Sequence, residues 1–181
     1  IQSIAGRSFV DGRPLAEARQ VFADRVAALA RVHSALLDSR WSGASLDEIV
    51  RGELAPFGGR ASIVGPPLQV QPQMAQHLAM ALHELATNAT KHGALSTPGG
   101  SVRVEWTTRV ADGESLFAFA WSETGGPPVL PPSREGFGQT LLRRILASTI
   151  AAQPAIDYAP EGLRYSFECP LSRVAVDGRT A

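Results

Sequence analysis

A single cysteine, Cys169, stands among the 181 residues. It rules out an intrachain disulfide, and with only four histidines in no paired spacing it leaves a structural zinc site without ligands. An excess of either charge is also missing. Lys+Arg and Asp+Glu number 17 each, so the formal net charge is zero. A nucleic-acid partner held by a broad basic surface is therefore not expected, because neutralising phosphates takes clustered surplus cations. No apolar run approaches the roughly 18–20 residues that span a bilayer. No membrane segment is expected within this stretch, and a cytoplasmic setting is the expectation. The opening "IQSIAGRSFV" lacks an initiator Met and the charged-then-apolar layout of a signal peptide. The sequence reads as part of a longer protein.

What is present is a globular composition, 44% hydrophobic and 19% charged, enough for one substantial core. From Leu15 to about Arg40, Phe22, Val26, Leu29, His33, Leu36 and Leu37 recur at steps of three and four. That stripe predicts a long amphipathic helix. With the short segment before it, this helix predicts a helical hairpin whose first arm is truncated. Ser45 is a candidate cap for a helix over "LDEIVRGELAPF", and Pro72 opens another that runs to about His92. "RASIVG", "LQVQ", "SVRVEWTTRV" and "ESLFAFAWSE" read as strands, "QTLLRRILASTI" as a helix, and "PAIDYAPEGLRYSFECPL" as a hairpin. The residues from Ser172 onward read as a polar tail. Neighbouring strands joined by tight turns predict an α+β fold: a mostly antiparallel sheet with helices on one face.

Chemistry concentrates in "HELATNATKHGALS", His83 to Ser96. Leu78, Leu82, Leu85 and Ala89 form the natural core stripe of this helix. Glu84, Asn88 and Lys91 share another face, at the border with solvent. An acid, an amide and a cation there suit a metal–triphosphate. The amide oxygen of Asn88 is a hard ligand appropriate to Mg²⁺, Lys91 would balance phosphate charge, and Glu84 could serve as a general base. On this helix alone, a solvated face with an incidental Glu–Lys relationship is the better explanation, because charged faces are ordinary. Two further segments tilt the balance. "WSETGGPP" sets Glu123 before Gly125 and Gly126, and a carboxylate can accept from the exocyclic amine of adenine. The paired glycines let backbone approach a base or a phosphate. "GFG", Gly136 to Gly138, leads into a helix whose first amides form an anion site.

Together these residues resemble the C-terminal part of a sensor histidine kinase of the HWE type. That family is named for a His in the asparagine-containing box, here His83, and a Trp-X-Glu in the first glycine box, here Trp121 and Glu123. "RVAALARVHSALL", "WSGASL", "ELAPF", "GGPPV" and the "GFG" segment resemble family segments in the same order, from residue 1 to about Leu171. The resemblance implies a Bergerat-type (GHKL) ATP-binding sandwich, with ATP and Mg²⁺ as ligands. It implies transfer of the γ-phosphoryl to a histidine and then to an aspartate of a response regulator receiver domain.

It divides the chain into a partial dimerisation and phosphotransfer hairpin at 1–42, a catalytic ATP-binding domain at 43–171, and a tail at 172–181. Carried residue by residue, it makes Asn88 the metal ligand, Lys91 a phosphate contact, Glu84 the base towards the acceptor imidazole, and Glu123 the adenine reader. Gly125, Gly126, Gly136 and Gly138 shape the nucleotide loops, and His92 stands where the family often has an aromatic. The acceptor histidine itself is expected just upstream of Ile1. His33 lies on an apolar stripe and is followed by Ser34, so it is read as a packed histidine and not as the acceptor; His77 is read as a surface residue. A sensory domain upstream is the further partner implied, and the resemblance leaves a homodimer and a monomer both open. The competing readings are a phosphotransfer relay protein with a degenerate nucleotide domain, another ATPase of the same fold such as an anti-sigma-type serine kinase, and an α+β scaffold without a ligand.

Overall fold

A computed structural model describes residues 14–38, 43–131 and 137–176. The short N-terminal arm expected at residues 1–13 lies outside the described residues, as does Gly136.

Helix α1, Leu15–Asp38, buries Ala18, Arg25 and Ala28 and leans Phe22 and Leu29 against the main core. Among its described side chains burial ends at Leu29. His33, expected on the packed stripe, is instead exposed. After strand β1 (Ala44–Ser45), helix α2 spans Leu46–Leu54. The Ser45 hydroxyl accepts from the Glu48 N–H at 3.4 Å, and Asp47 and Glu48 occupy the first turn, where the helix dipole favours acids. A 3₁₀ segment, Ala55–Arg60, leads into β2 (Ala61–Val64), and β3 (Gln69–Val70) pairs with β1. Helix α3 then runs Pro72–His92.

Strands β4 (Ser101–Ala111) and β5 (Glu114–Thr124) form a long hairpin. Its turn residues, Asp112 and Gly113, both have positive φ (52° and 82°), the backbone that matches the twist of two-residue hairpins. Helix α4 (Phe137–Thr140), a π-helical turn (Leu141–Ile145) and helix α5 (Leu146–Ile150) follow in one run. Strands β6 (Ala155–Ala159) and β7 (Gly162–Pro170) close the sheet, whose order is β2-β4-β5-β7-β6. All its pairs are antiparallel except β2–β4, which is parallel.

The inward alternation of three strands builds one apolar face. Val102, Val104 and Trp106 come from β4, Phe117, Phe119 and Trp121 from β5, and Leu163, Tyr165, Phe167 and Cys169 from β7. Helix α3 and the α4–α5 run cover it through Leu78, Leu82, Leu85, Leu141, Leu142, Leu146 and Ile150. The other face carries exposed charge, including the Arg109–Glu168 pair at 2.9 Å. This is the expected layering of helices on one side of a mostly antiparallel sheet.

The stretch expected as a polar tail does not start as one. Val174 and Ala175 are buried, Ala175 bridges to Val70, and the Gln71 amide donates to the carbonyls of Ser172 and Ala175, each at 2.9 Å. The apolar "VAV" supplies the reason, since it can add to the β3 edge. No helix among the described residues is long and apolar enough to cross a membrane.

Candidate functional site

Helix α3 carries the site. Pro72 sits in its first turn, where a missing N–H costs nothing, and the helix ends where the Gly93 N–H bonds to the carbonyls of Asn88 and Ala89, both at 3.1 Å. Leu78, Leu82, Leu85 and Ala89 face the sheet, which turns Glu84, Asn88 and Lys91 along a neighbouring side.

Glu84 is more deeply placed than a border position. It is buried, and the Arg25 guanidinium of α1 grips both its oxygens, Nε to Oε1 at 2.6 Å and Nη2 to Oε2 at 3.1 Å. Gly138, at the start of the α4–α5 run, lies against the same carboxylate: a Cβ there would stand 2.7 Å from Oε2. The helix start expected as an anion site thus already has an acid beside it. Asn88, one turn further, is half-buried; Lys91 and His92 are exposed. Their exposure leaves them reachable from solvent.

Glu123 does not project from a loop. It takes an inward position of β5, in step with Phe119 and Trp121, and is 2% exposed. Trp121 Nε1 donates to its Oε1 at 3.1 Å and the Ala94 N–H to its Oε2 at 2.9 Å. Burial pushes its carboxyl pKa above the ordinary 4.5, partly offset by those two hydrogen bonds. The glycines around it are packed against backbone. A Cβ on Gly126 would lie 2.5 Å from Ala94 Cα, and one on Gly125, which has φ +74°, 2.8 Å from the Gly99 carbonyl. In this structure they serve close approach between two chain segments, not open space for a phosphate. Gly126→Ala is expected to cost about 1–3 kcal/mol, because backbone must shift to admit the methyl. In a chain of this size that lowers Tm by roughly 2–12 °C, read by a thermal melt.

The residues expected as family markers acquire contacts here. Trp121 orients Glu123, and His83 Nδ1 lies 3.2 Å from Oε2 of the buried Glu53 on α2. A carboxylate only accepts, so the imidazole proton belongs on Nδ1. His77, expected at the surface, is half-buried; its Nδ1 is 2.7 Å from the Thr149 hydroxyl, and burial lowers its pKa. Two partners escaped the sequence reading, Arg25 and Glu53. Both interrupt apolar helix faces, Arg25 between Phe22 and Leu29 and Glu53 after Ile49 and Val50, and a charge in such a stripe is the signal that marks them.

Among the described residues no three His, Cys, Asp or Glu side chains group as a metal cage. The donor set fits Mg²⁺ of a different kind, one that keeps waters and phosphate oxygens and needs only a single hard protein oxygen such as that of Asn88.

Residues 1–67 match the HWE histidine kinase family. The chain is 38% identical over 176 residues to a blue-light-activated histidine kinase of Brucella anthropi and 36% identical to that of Brucella ovis. Each alignment covers 95% of this chain and 36% of the relative, so the chain spans about a third of the curated relatives it matches. In fold it is similar to the histidine kinase domain of Erythrobacter litoralis EL346, with a TM-score of 0.61 at 20% identity over 84% of this chain and 75% of that one. His83, Trp121 and Glu123 stand in an α+β body of that shape, and the chain is similar to the HWE histidine kinase family in its first 67 residues and to blue-light-activated histidine kinases over 95% of its length.

Proposed function

We propose that this chain is the ATP-binding, phosphoryl-transferring segment of a sensor histidine kinase, with residues 1–42 the end of its phosphotransfer hairpin and 43–171 the catalytic domain. The observation that supports this best is convergence. Three motifs far apart in sequence meet along one side of α3, with Gly138 on Glu84 at mid-helix and Glu123 on Gly93–Ala94 at its end. Asn88 lies between them, within roughly 13 Å of helix. An elongated nucleotide would lay its base by Glu123 and its phosphates by Asn88, Lys91 and Gly138 at the start of the α4–α5 run.

Mg²⁺, held through the Asn88 amide oxygen, would neutralise phosphate charge. In the transfer an imidazole nitrogen bonds to the γ-phosphorus, the bond to the β–γ bridging oxygen breaks, and ADP leaves with the electron pair. The imidazole proton passes to Glu84. The rest is positioning, the main source of rate in phosphoryl transfer. The acceptor histidine would precede Ile1, and the phosphoryl would pass on to an aspartate of a response regulator receiver domain; a sensory domain upstream would supply the input, with monomer and homodimer both compatible with the reading. Because His33 is exposed, packing no longer argues against it as an acceptor, and the case for an upstream histidine rests on the family motif.

Glu123 retains two carboxylate lone-pair sites beyond those used by Trp121 and Ala94, which suits recognition of the adenine amine. A charge-assisted hydrogen bond of this kind is worth about 1.5–3 kcal/mol, so ATP should displace a bound fluorescent nucleotide at roughly 10–150-fold lower concentration than GTP. Equal displacement would remove Glu123 from that role.

A further inference from the structure

We propose that Arg25 is a latch, holding α1 against the nucleotide domain and keeping Glu84 from the acceptor histidine until α1 moves. The inference rests on Glu84 being the base. Both carboxylate oxygens carry a guanidinium N–H, at 2.6 and 3.1 Å, and Gly138 closes the third side. Two acceptor sites remain on the carboxylate, but with its side chain 10% exposed and the guanidinium and Gly138 packed on it, an incoming imidazole has little room to reach them. The pair joins residues 59 apart in sequence, and its side chains are only 8% and 10% exposed. A two-pronged Arg–carboxylate bond fixes direction as well as distance, so it holds the rotation of α1 about its axis.

Among the described side chains the rest of the α1 docking is light. Ala18 and Ala28 are buried but small, Val21, Phe22, Val26 and Leu29 are only partly buried, and Leu15, Ala23, Ala27, Ala30 and His33 are exposed. A buried guanidinium stays inside only while a carboxylate meets it, so rotation or sliding of α1 that draws Arg25 into water releases Glu84 in the same movement. The helix belonging to the phosphotransfer hairpin thereby reports its own position to the base.

The test uses the full-length protein with nitroxide labels on Gln20→Cys and Arg109→Cys, both exposed positions, and compares wild type with Arg25→Met and Arg25→Lys. Arg25→Met keeps length and loses the charge. It is expected to raise the initial rate of γ-phosphoryl transfer roughly 5–150-fold, the span of ordinary coupling between sites. It should also lengthen and broaden the label–label distance, with Mg·ATP protection unchanged. Arg25→Lys, with a charge but no fork, should fall between, and decides the matter by the same two measurements if Arg25→Met does not fold. A rate that is unchanged or lower overturns the latch, and so does an unaltered distance distribution. Should Glu84→Gln transfer at the wild-type rate, the base assignment fails instead, while the distances still show whether the pair holds α1.

Discussion

Glu84→Gln is expected to reduce γ-phosphoryl transfer by roughly 10²–10⁴-fold, the usual contribution of a positioned acid–base group, while Mg·ATP continues to protect the protein against heat. Glutamine keeps the shape and one accepting oxygen, so Arg25 retains a hydrogen bond and the start of α4 retains its neighbour beside Gly138. What is lost is the capacity to take a proton. Incorporation of labelled phosphoryl into the full-length protein, followed over time, checks the rate, and a melt with and without Mg·ATP checks binding. A fall of less than tenfold would show that the imidazole loses its proton elsewhere. Glu84→Ala is the harsher change: it leaves the buried guanidinium without its carboxylate, which in comparable pairs costs about 3–5 kcal/mol. Its lost activity would then mix chemistry with stability, and the glutamine variant separates the two.

Asn88→Ala is expected to erase most of the thermal protection that Mg·ATP confers. A ligand at a hundred times its Kd stabilises by about 2.7 kcal/mol, which in a chain of this size raises Tm by roughly 5–11 °C. Asn88 is half-buried on α3, one turn beyond Glu84 and away from the Leu78–Ala89 core stripe. The melt of the variant without nucleotide should therefore stay close to wild type. Its curve with Mg·ATP should then nearly overlay its own curve without. Equal protection of the two proteins would dismiss the amide as the metal's ligand.

The layering was legible because its signals are local. Alternation in "VRVEW" and "LFAFAW" marked the inner face of β4 and β5, and three-four spacing in "LAMALHELATNA" marked the buried side of α3. Pairings across the chain were not legible. That β2 lies parallel to β4 is no property of either segment, and "SRVAV" gave no sign that Gln71 would bind its backbone. The candidate site divides in the same way. Glu84 and Asn88 stand out by spacing, but the depth of Glu84 is set by Arg25, a residue of another helix. Glu123 stood out as the acid that ends a strand before two glycines, but its depth beside Trp121 comes from the period of β5 and from the helix packed over it. The glycines themselves suggested ligand space; their closeness to Ala94 and Gly99 depends on contacts across 26 to 32 residues of chain, which no local pattern encodes.

The one parallel pair in the sheet bears on how the protein is assembled in time. β4–β5 and β6–β7 are hairpins, whereas β7 reaches β5 across the α4–α5 run and β6, and β2 reaches β4 by a crossover that is α3 itself. Parallel strands need such long connections, and closing them is the slow, entropically expensive part of folding. The helix bearing Glu84 and Asn88 is thus clamped at both ends only after one of the sheet's two long-range strand pairings has formed. A chain emerging from the ribosome carries β2 and the helix before β4 is made, so the residues of the candidate site wait for the strand that fixes them.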